Sequence, residues 1–427
     1  MARAFSPVVE TSPQVRQLTN GITLLTERVP YVRSVSLGAW ITTGSANEPS
    51  HLTGISHFLE HLFFKGTSTR TARQLMEAIE SRGGHLNAYT ARDYTCIYAK
   101  TLDTHLDTAA EILGDVLCDS QFFDFEKERN VILEEIASNE DVPEEYIHDL
   151  FMSDLFPGHS LGAPISGTEK SVSRISPDDV RAYYAAWYHP RNVVVSAAGN
   201  FDEDEILDLI EKAFAPLSAA DGPSVPAYDA PAQGTGVREC RRKIAQSHYC
   251  IGFPGPATGS PDRFVYDVLS NALGGGSTSR LFERIREQEG LSYAIYTFQS
   301  AYYRAGLLGI YAAVAPENLD RALSMTFEEL RGIRDTRISA EETALNREQL
   351  KGGLLMALEE TFHRMSRMAK SYIYYGRIVP VDEVIARVDA VTPEAVHELA
   401  NHILHPERCM VTVLGPKNAL HLPEIPL

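Results

Sequence analysis

One feature constrains the fold before any other: the chain repeats itself. Ser176-Pro177 opens a helical pattern that ends at His189-Pro190 and runs into the strand-like stretch Val193–Ala198 and then Gly199. Thr392-Pro393 does the same, through His405-Pro406 to Cys409–Leu414 and Gly415. Pro177, Val180, His189, Pro190, Val195 and Gly199 recur in a fixed frame, 216 positions later, at Pro393, Val396, His405, Pro406, Val411 and Gly415. A frame kept over that distance implies one structural unit built twice. Between the copies the text turns to Pro216, Pro223, Pro226, Pro231, Gly234 and Gly236 with no apolar period, the composition of a linker. The expected organisation is a first domain over 1–215, a linker over 216–236 and a homologous second domain over 237–427, in keeping with 427 residues.

Each half opens with a β-rich stretch, Ile22–Thr43 and Ser247–Pro254, followed by a helix, Ile55–Phe64 and Arg263–Leu273, and further strands, Tyr94–Lys100 and Gly306–Ala313. Long helical patterns follow at Leu106–Leu117, Phe125–Asn139 and, in the second half, Ala340–Tyr374. Strands and helices mixed with hairpin-like connections predict an α+β fold, two homologous domains of helices on a mainly antiparallel sheet. Duplication also means that one copy can keep chemistry the other has lost.

The most informative ten residues are Ile55–Phe64, I-S-H-F-L-E-H-L-F-F. At about 100° per residue His57 and His61 lie about 40° apart on a helix, so both imidazoles can reach one ion. Glu60 flanks them, in the mirror image of H-E-x-x-H, where a glutamate works beside two metal-binding histidines. H-x-x-E-H is itself an established metallopeptidase signature. A chain of this composition yields roughly 0.06 chance matches to it, so the motif stands above background. Phe58, Leu59, Leu62, Phe63 and Phe64 make the helix apolar enough to be buried, and buried histidines need partners.

Two imidazoles leave a zinc ion short of a third protein ligand. The helical run F-E-K-E-R-N-V-I-L-E-E-I supplies candidates: Glu128 and Glu135 lie within about 20° of each other, and Glu134 points about 100° away. One of the aligned pair can bind metal while the other orients a ligand histidine. Spacing alone leaves the two interchangeable.

On these marks the chain resembles the pitrilysin and insulin-degrading enzyme family of inverted zinc metallopeptidases, and within it the two-domain branch of the mitochondrial processing peptidase and its bacterial homologues. The resemblance spans nearly the whole chain and rests on H57-F-L-E-H61, E128-R-N-V-I-L-E-E135, G83-G-H-L-N-A-Y-T90 and S279-R-L-F-E-R-I-R-E-Q-E-G-L-S-Y293. It implies one Zn2+ per chain on His57, His61 and Glu135, Glu60 as the general base toward metal-activated water, and Glu128 behind the ligands. It also implies an edge strand at Gly83–Thr90 that pairs with extended peptide, with Asn87 and Ala88 as substrate contacts and Phe58 beside them. Arg286 and Tyr293 match the family's transition-state pair, Arg orienting the substrate and Tyr donating to the oxyanion. In four-domain relatives that pair faces the zinc domain across a closed chamber. A two-domain chain would form half of such a clamshell, completed by a homodimer with Arg286 and Tyr293 acting in trans, or by a heterodimer with a metal-less homologue. The function implied is a zinc endopeptidase acting on peptides or unfolded segments. The alternative is a non-catalytic peptide-binding or assembly subunit of the same fold.

Other chemistries find little support. Acidic residues outnumber basic ones by 57 to 39, a formal charge of −18 that repels phosphate backbones and anionic membranes and points toward basic peptides. Gly274-Gly275-Gly276 lacks the Gly-Lys-Ser/Thr ending of a phosphate loop. The second half has no H-x-x-E-H, and His397 and His402 sit about 140° apart on a helix. Five scattered cysteines without a C-x-x-C pair suit a reducing compartment, and no apolar run has the length of a membrane span, so the expected location is cytoplasmic.

Overall fold

A computed structural model describes residues 12–217, 222–223 and 225–416. Two mixed, mainly antiparallel sheets carry the fold, each with helices packed on it. The first contains β1 (Gln14–Gln17), β2 (Thr23–Arg28), β3 (Ser34–Ile41), β4 (His85–Thr90), β5 (Thr95–Leu102) and β6 (Val193–Gly199), in the order β1-β2-β6-β3-β5-β4. The second contains β7 (Gly236–Arg241), β8 (Ser247–Gly255), β9 (Ser292–Ala301), β10 (Gly306–Val314) and β11 (Met410–Gly415), in the order β7-β11-β8-β10-β9. One pair in each sheet is parallel, β2 with β6 and β7 with β11. The α+β class and the doubled architecture read from the sequence are what the structure shows.

The repeat is visible as geometry. Helices Pro177–Trp187 and Pro393–Ile403 both begin with proline in the first turn, behind a Ser176 or Thr392 hydroxyl that accepts a backbone N–H. Proline suits that position because its missing N–H would have had no helical partner. Each helix passes through a short 3-10 turn at Pro190–Asn192 or Pro406–Arg408 into a fully buried strand, β6 or β11.

Helices α1 (Ile55–Phe63), α2 (Ala72–Glu80), α3 (Leu106–Asp119) and α4 (Phe125–Asp141) lie between the strands of the first half, followed by α5 (Pro143–Leu155). The compact units do not follow the sequence halves. Among the described residues, one comprises those within 1–131, 170–227 and 356–379, the other those within 132–169, 228–355 and 380–427. Each sheet is thus drawn from one half of the sequence, but each unit takes a helical segment from the other half. Among the described residues of 216–235 neither helix nor strand forms.

In the first unit, helix Thr361–Tyr375 packs across β2, β3 and β6. Met365, Met368 and Ala369 meet Leu25, Trp40, Cys96, Val194 and Ala198, all buried. Strands β3 and β6 are covered on both faces, which explains why they read as apolar runs rather than alternating ones. Arg364 and Glu27 form a buried ion pair at 2.6 Å, and Ser196 Oγ donates to Met365 O at 3.0 Å, fixing the helix on the sheet. In the second unit α5 packs on β8 and β11, its Phe151 ring lying where a Cβ on Gly252 would stand.

The expected continuous helix over Ala340–Tyr374 is two helices, Ala340–Ala357 and Thr361–Tyr375. The chain passes from one unit to the other at Leu355/Met356, and Glu360 adopts an extended conformation to start the second helix. No proline or glycine marks the break, because tertiary packing rather than local propensity makes it.

Candidate metal centre

Helix α1 begins at a built corner. Gly54 takes a left-handed conformation (φ 95°) and Glu48, almost fully buried, accepts the Gly54 N–H at 2.7 Å and the Ser56 N–H at 2.8 Å. A carboxylate on first-turn amides satisfies donors that have no helical acceptor and favours the helix dipole. Burial nevertheless pushes the Glu48 carboxyl up to about 7, against the opposing pull of the Ser56 and Gly54 donors and the Arg92 charge. Behind it Ser56 Oγ and Tyr183 OH lie 2.9 Å apart, and Tyr183 OH is 3.2 Å from Thr43 Oγ1. This polar chain fixes the turn that precedes His57.

The apolar face of α1 is core. Phe58, Leu59, Leu62 and Phe63 are completely buried, and the Phe58 ring stacks on Phe125 at 4.7 Å. Phe58 was expected beside the substrate; the structure corrects this, since a ring enclosed against Phe125 belongs to the packing that seats α1. Just before α4 two residues other than glycine, Phe122 and Asp124, have positive φ (54° and 58°). Such conformations cost about 1–2 kcal/mol each. They are held by aromatic contacts: Phe122 packs edge-on against Phe63 and Tyr184, as Phe125 stacks on Phe58.

The first half of α4 is fixed within the same unit at two further points. Arg129 Nη1 donates to Ser173 O at 2.7 Å, and Glu128, 2% exposed, meets Lys65 Nζ at 2.9 Å through Oε1. The other Glu128 oxygen stands 3.4 Å from His61 Nδ1. Glu135 follows two turns later on this uninterrupted helix. His57, His61 and Glu135 each offer a ligand atom, and these atoms lie within 4.8 Å of one another. The two imidazole rings are 4.7 Å apart between centroids. Two imidazole nitrogens and a carboxylate oxygen are a donor set that zinc accepts, so the residues present fit the ion. Spacing left Glu128 and Glu135 interchangeable; the geometry separates them, Glu135 beside both histidines and Glu128 behind His61.

Glu60 leaves α1 beside the histidines, and its Oε2 accepts a 2.6 Å hydrogen bond from Thr90 Oγ1 at the end of β4. Strand β4 pairs only with β5 and is the edge of the first sheet among the described residues. Ala88 is buried and Asn87 exposed, and the Asn87 side chain accepts the Ala88 N–H at 2.8 Å. Neither Glu48 nor Thr90 was singled out from sequence as a partner of the site. Thr90 closes a motif already noted, whereas nothing local marks Glu48.

In the second unit Arg286 and Tyr293 are brought together. Arg286 lies in a π-helix, Phe282–Gln288, and donates to Tyr293 O at 2.8 Å. Its guanidinium sits 4.6 Å from the ring centroids of both Phe282 and Tyr293, so a planar cation is held between two π faces. Tyr293 itself is 82% exposed. Among the described residues no helix is long and apolar enough to cross a membrane.

Comparison with known proteins agrees with the motifs. Residues 23–169 match the family described as insulinase (peptidase family M16), and residues 174–350 match the peptidase M16 inactive domain. The protein named uncharacterized zinc protease YmxG of Bacillus subtilis is 38% identical over 395 residues, 90% of this chain and 94% of that one. A protease from Helicobacter pylori shares the fold with a TM-score of 0.90 at 20% identity, covering 95% of this chain and all of that one. A peptidase M16 inactive domain from Pseudomonas fluorescens superposes with a TM-score of 0.88 at 17% identity, over 95% and 99% of the two chains. Duplicated sheets, an H-x-x-E-H helix with a carboxylate of α4 beside its histidines, and a zinc-protease relative across nine-tenths of the sequence lead to one assignment: the chain belongs to the M16 (insulinase) family of peptidases.

Proposed function

We propose that the protein is a zinc endopeptidase that hydrolyses peptides or extended protein segments. The observation that carries this reading is the convergence of His57, His61 and Glu135 beside Glu60. His57, His61 and Glu135 would hold the ion, and Glu128, facing His61 Nδ1, would orient that ring. Zinc, when bound, supplies Lewis acidity toward water and the scissile carbonyl. Glu60 takes the proton of the attacking water and returns it to the leaving amine. No covalent acyl-enzyme is required.

The edge of β4 receives the substrate as an added strand, main chain to main chain, with Asn87 and Ala88 at the point of contact. Backbone pairing reads an extended shape before side chains, which suits unfolded segments. Arg286 and Tyr293 serve the oxyanion side from a second copy of the chain in a homodimeric chamber, and the exposure of Tyr293 leaves it available for that role. The acidic balance of the chain favours basic peptides.

The deciding experiment is cleavage of quenched fluorescent basic and neutral peptides, about 10–20 residues long to fill an extended site, by the wild type and Glu60→Gln. Cleavage by the wild type alone supports the peptidase. If neither cleaves while both bind zinc and peptide, the chain is a non-catalytic binding or assembly subunit.

A further inference from the structure

We propose that Thr90 is a positioning residue that orients the Glu60 carboxylate, so that the strand which receives the substrate also aims the base. This rests on the peptidase reading above and adds a residue to it.

The placement of Thr90 is rigid. Thr90 is the last residue of β4 and pairs in register with Thr95 of β5, so the sheet sets its backbone. Threonine is β-branched, and its χ1 is restricted on a strand. The hydroxyl is therefore placed before Glu60 meets it. Glutamate, by contrast, has three side-chain torsions, so its carboxylate takes its orientation from the groups it meets. The 2.6 Å bond from Thr90 Oγ1 to Glu60 Oε2 has the length of a hydroxyl donating to a charged carboxylate. It tethers one oxygen and so restricts the directions the carboxylate can face.

Alternation along β4 puts Thr90 on the same face as Ala88 and Leu86, and from that face Thr90 reaches Glu60 of α1. Ala88, at the proposed substrate contact, is two residues from Thr90 on one pleated strand. A peptide added at this edge and the base that serves it would then share a single reference. Registration of the scissile bond against Glu60 is set by a strand rather than by a loop.

The test compares wild type, Thr90→Val and Thr90→Ser with the same fluorescent peptides, with zinc content, peptide affinity by anisotropy and Tm measured alongside. Valine keeps the branched shape and removes the donor; serine keeps the donor. The expected result for Thr90→Val is a kcat lower by about tenfold to 100-fold, the scale of a misaimed catalytic group, with KM, zinc content and peptide affinity unchanged. Thr90→Ser should restore most of the lost kcat. The proposal is overturned if Thr90→Val keeps the wild-type kcat, if its zinc content or peptide affinity falls in step with kcat, or if serine fails to restore activity. Should Thr90→Val not fold, Thr90→Ala is held to the same criteria. A wild type that binds zinc and peptide but does not cleave overturns the peptidase reading and this inference together. Cleavage by the wild type with no effect of Thr90→Val overturns this inference alone.

Discussion

Oε2 of Glu128 stands 3.4 Å from Nδ1 of His61, while Oε1 of the same carboxylate meets Lys65. Glu135, the other glutamate of the aligned pair, lies with the ligand atoms of both histidines. Their substitutions should therefore differ in kind. Glu135→Gln is expected to abolish zinc retention, and Glu128→Gln to weaken zinc affinity by about 10–100-fold while leaving the site able to load. Metal content after dialysis and chelator competition measure both, and the opposite order would refute the assignment.

Arg286 and Tyr293 offer a test of where they act. Arg286→Ala removes the cation held between Phe282 and Tyr293, and Tyr293→Phe removes one phenol. Each should lower kcat by about 10²–10³, the scale of losing an oxyanion donor, with zinc content unchanged. Mixing Glu60→Gln with Tyr293→Phe should give activity well above that of either variant alone if the pair works in trans. No recovery from a mixture shown to exchange subunits would place it in cis.

Glu48 gives stability a pH dependence. Its folded carboxyl is raised from 4.5 to about 7, chiefly by burial, so the folded chain holds this proton more tightly than the unfolded chain does. The stability it contributes is full below the unfolded value and is lost as pH rises through about 7, on the order of 3 kcal/mol in all. In the metal-free protein Glu48→Gln should flatten the fall in Tm across that window. A Tm difference between variant and wild type that stays constant from pH 4.5 to above 7 would show that Glu48 does not titrate there.

Glu27 and Arg364 dock helix Thr361–Tyr375 on the first sheet through a buried pair at 2.6 Å. Glu27→Gln leaves the guanidinium buried without its countercharge and should cost about 3–5 kcal/mol. Glu27→Leu with Arg364→Met should recover much of that loss. Urea denaturation of the metal-free protein measures each step, and additive losses in the double variant would argue against coupling.

Much of this arrangement can be read from local text. The 216-residue frame shared by His189-Pro190 and His405-Pro406 marks the duplication, and the spacing of His57 and His61 places both rings on one helix face. What escapes is carried by contacts between distant segments. Glu48 and Ser56 are separated by a glycine corner whose φ no motif encodes, and Thr90 reaches Glu60 from a different element. Phe58 looks exposable by its place in the motif, yet Phe125 covers it. The break between Ala357 and Thr361 has no proline or glycine because it arises where the chain changes units.

That change of units has a consequence for synthesis. The first unit needs residues 356–379, so a nascent chain that has passed residue 227 still lacks the helix that covers β2, β3 and β6. At about 5–20 residues per second the ribosome takes roughly 8–30 s to deliver it. Until then the apolar face around Trp40 and Val194 waits for Met365 and Met368, and that side of the sheet stays uncovered while the second half of the chain is being made.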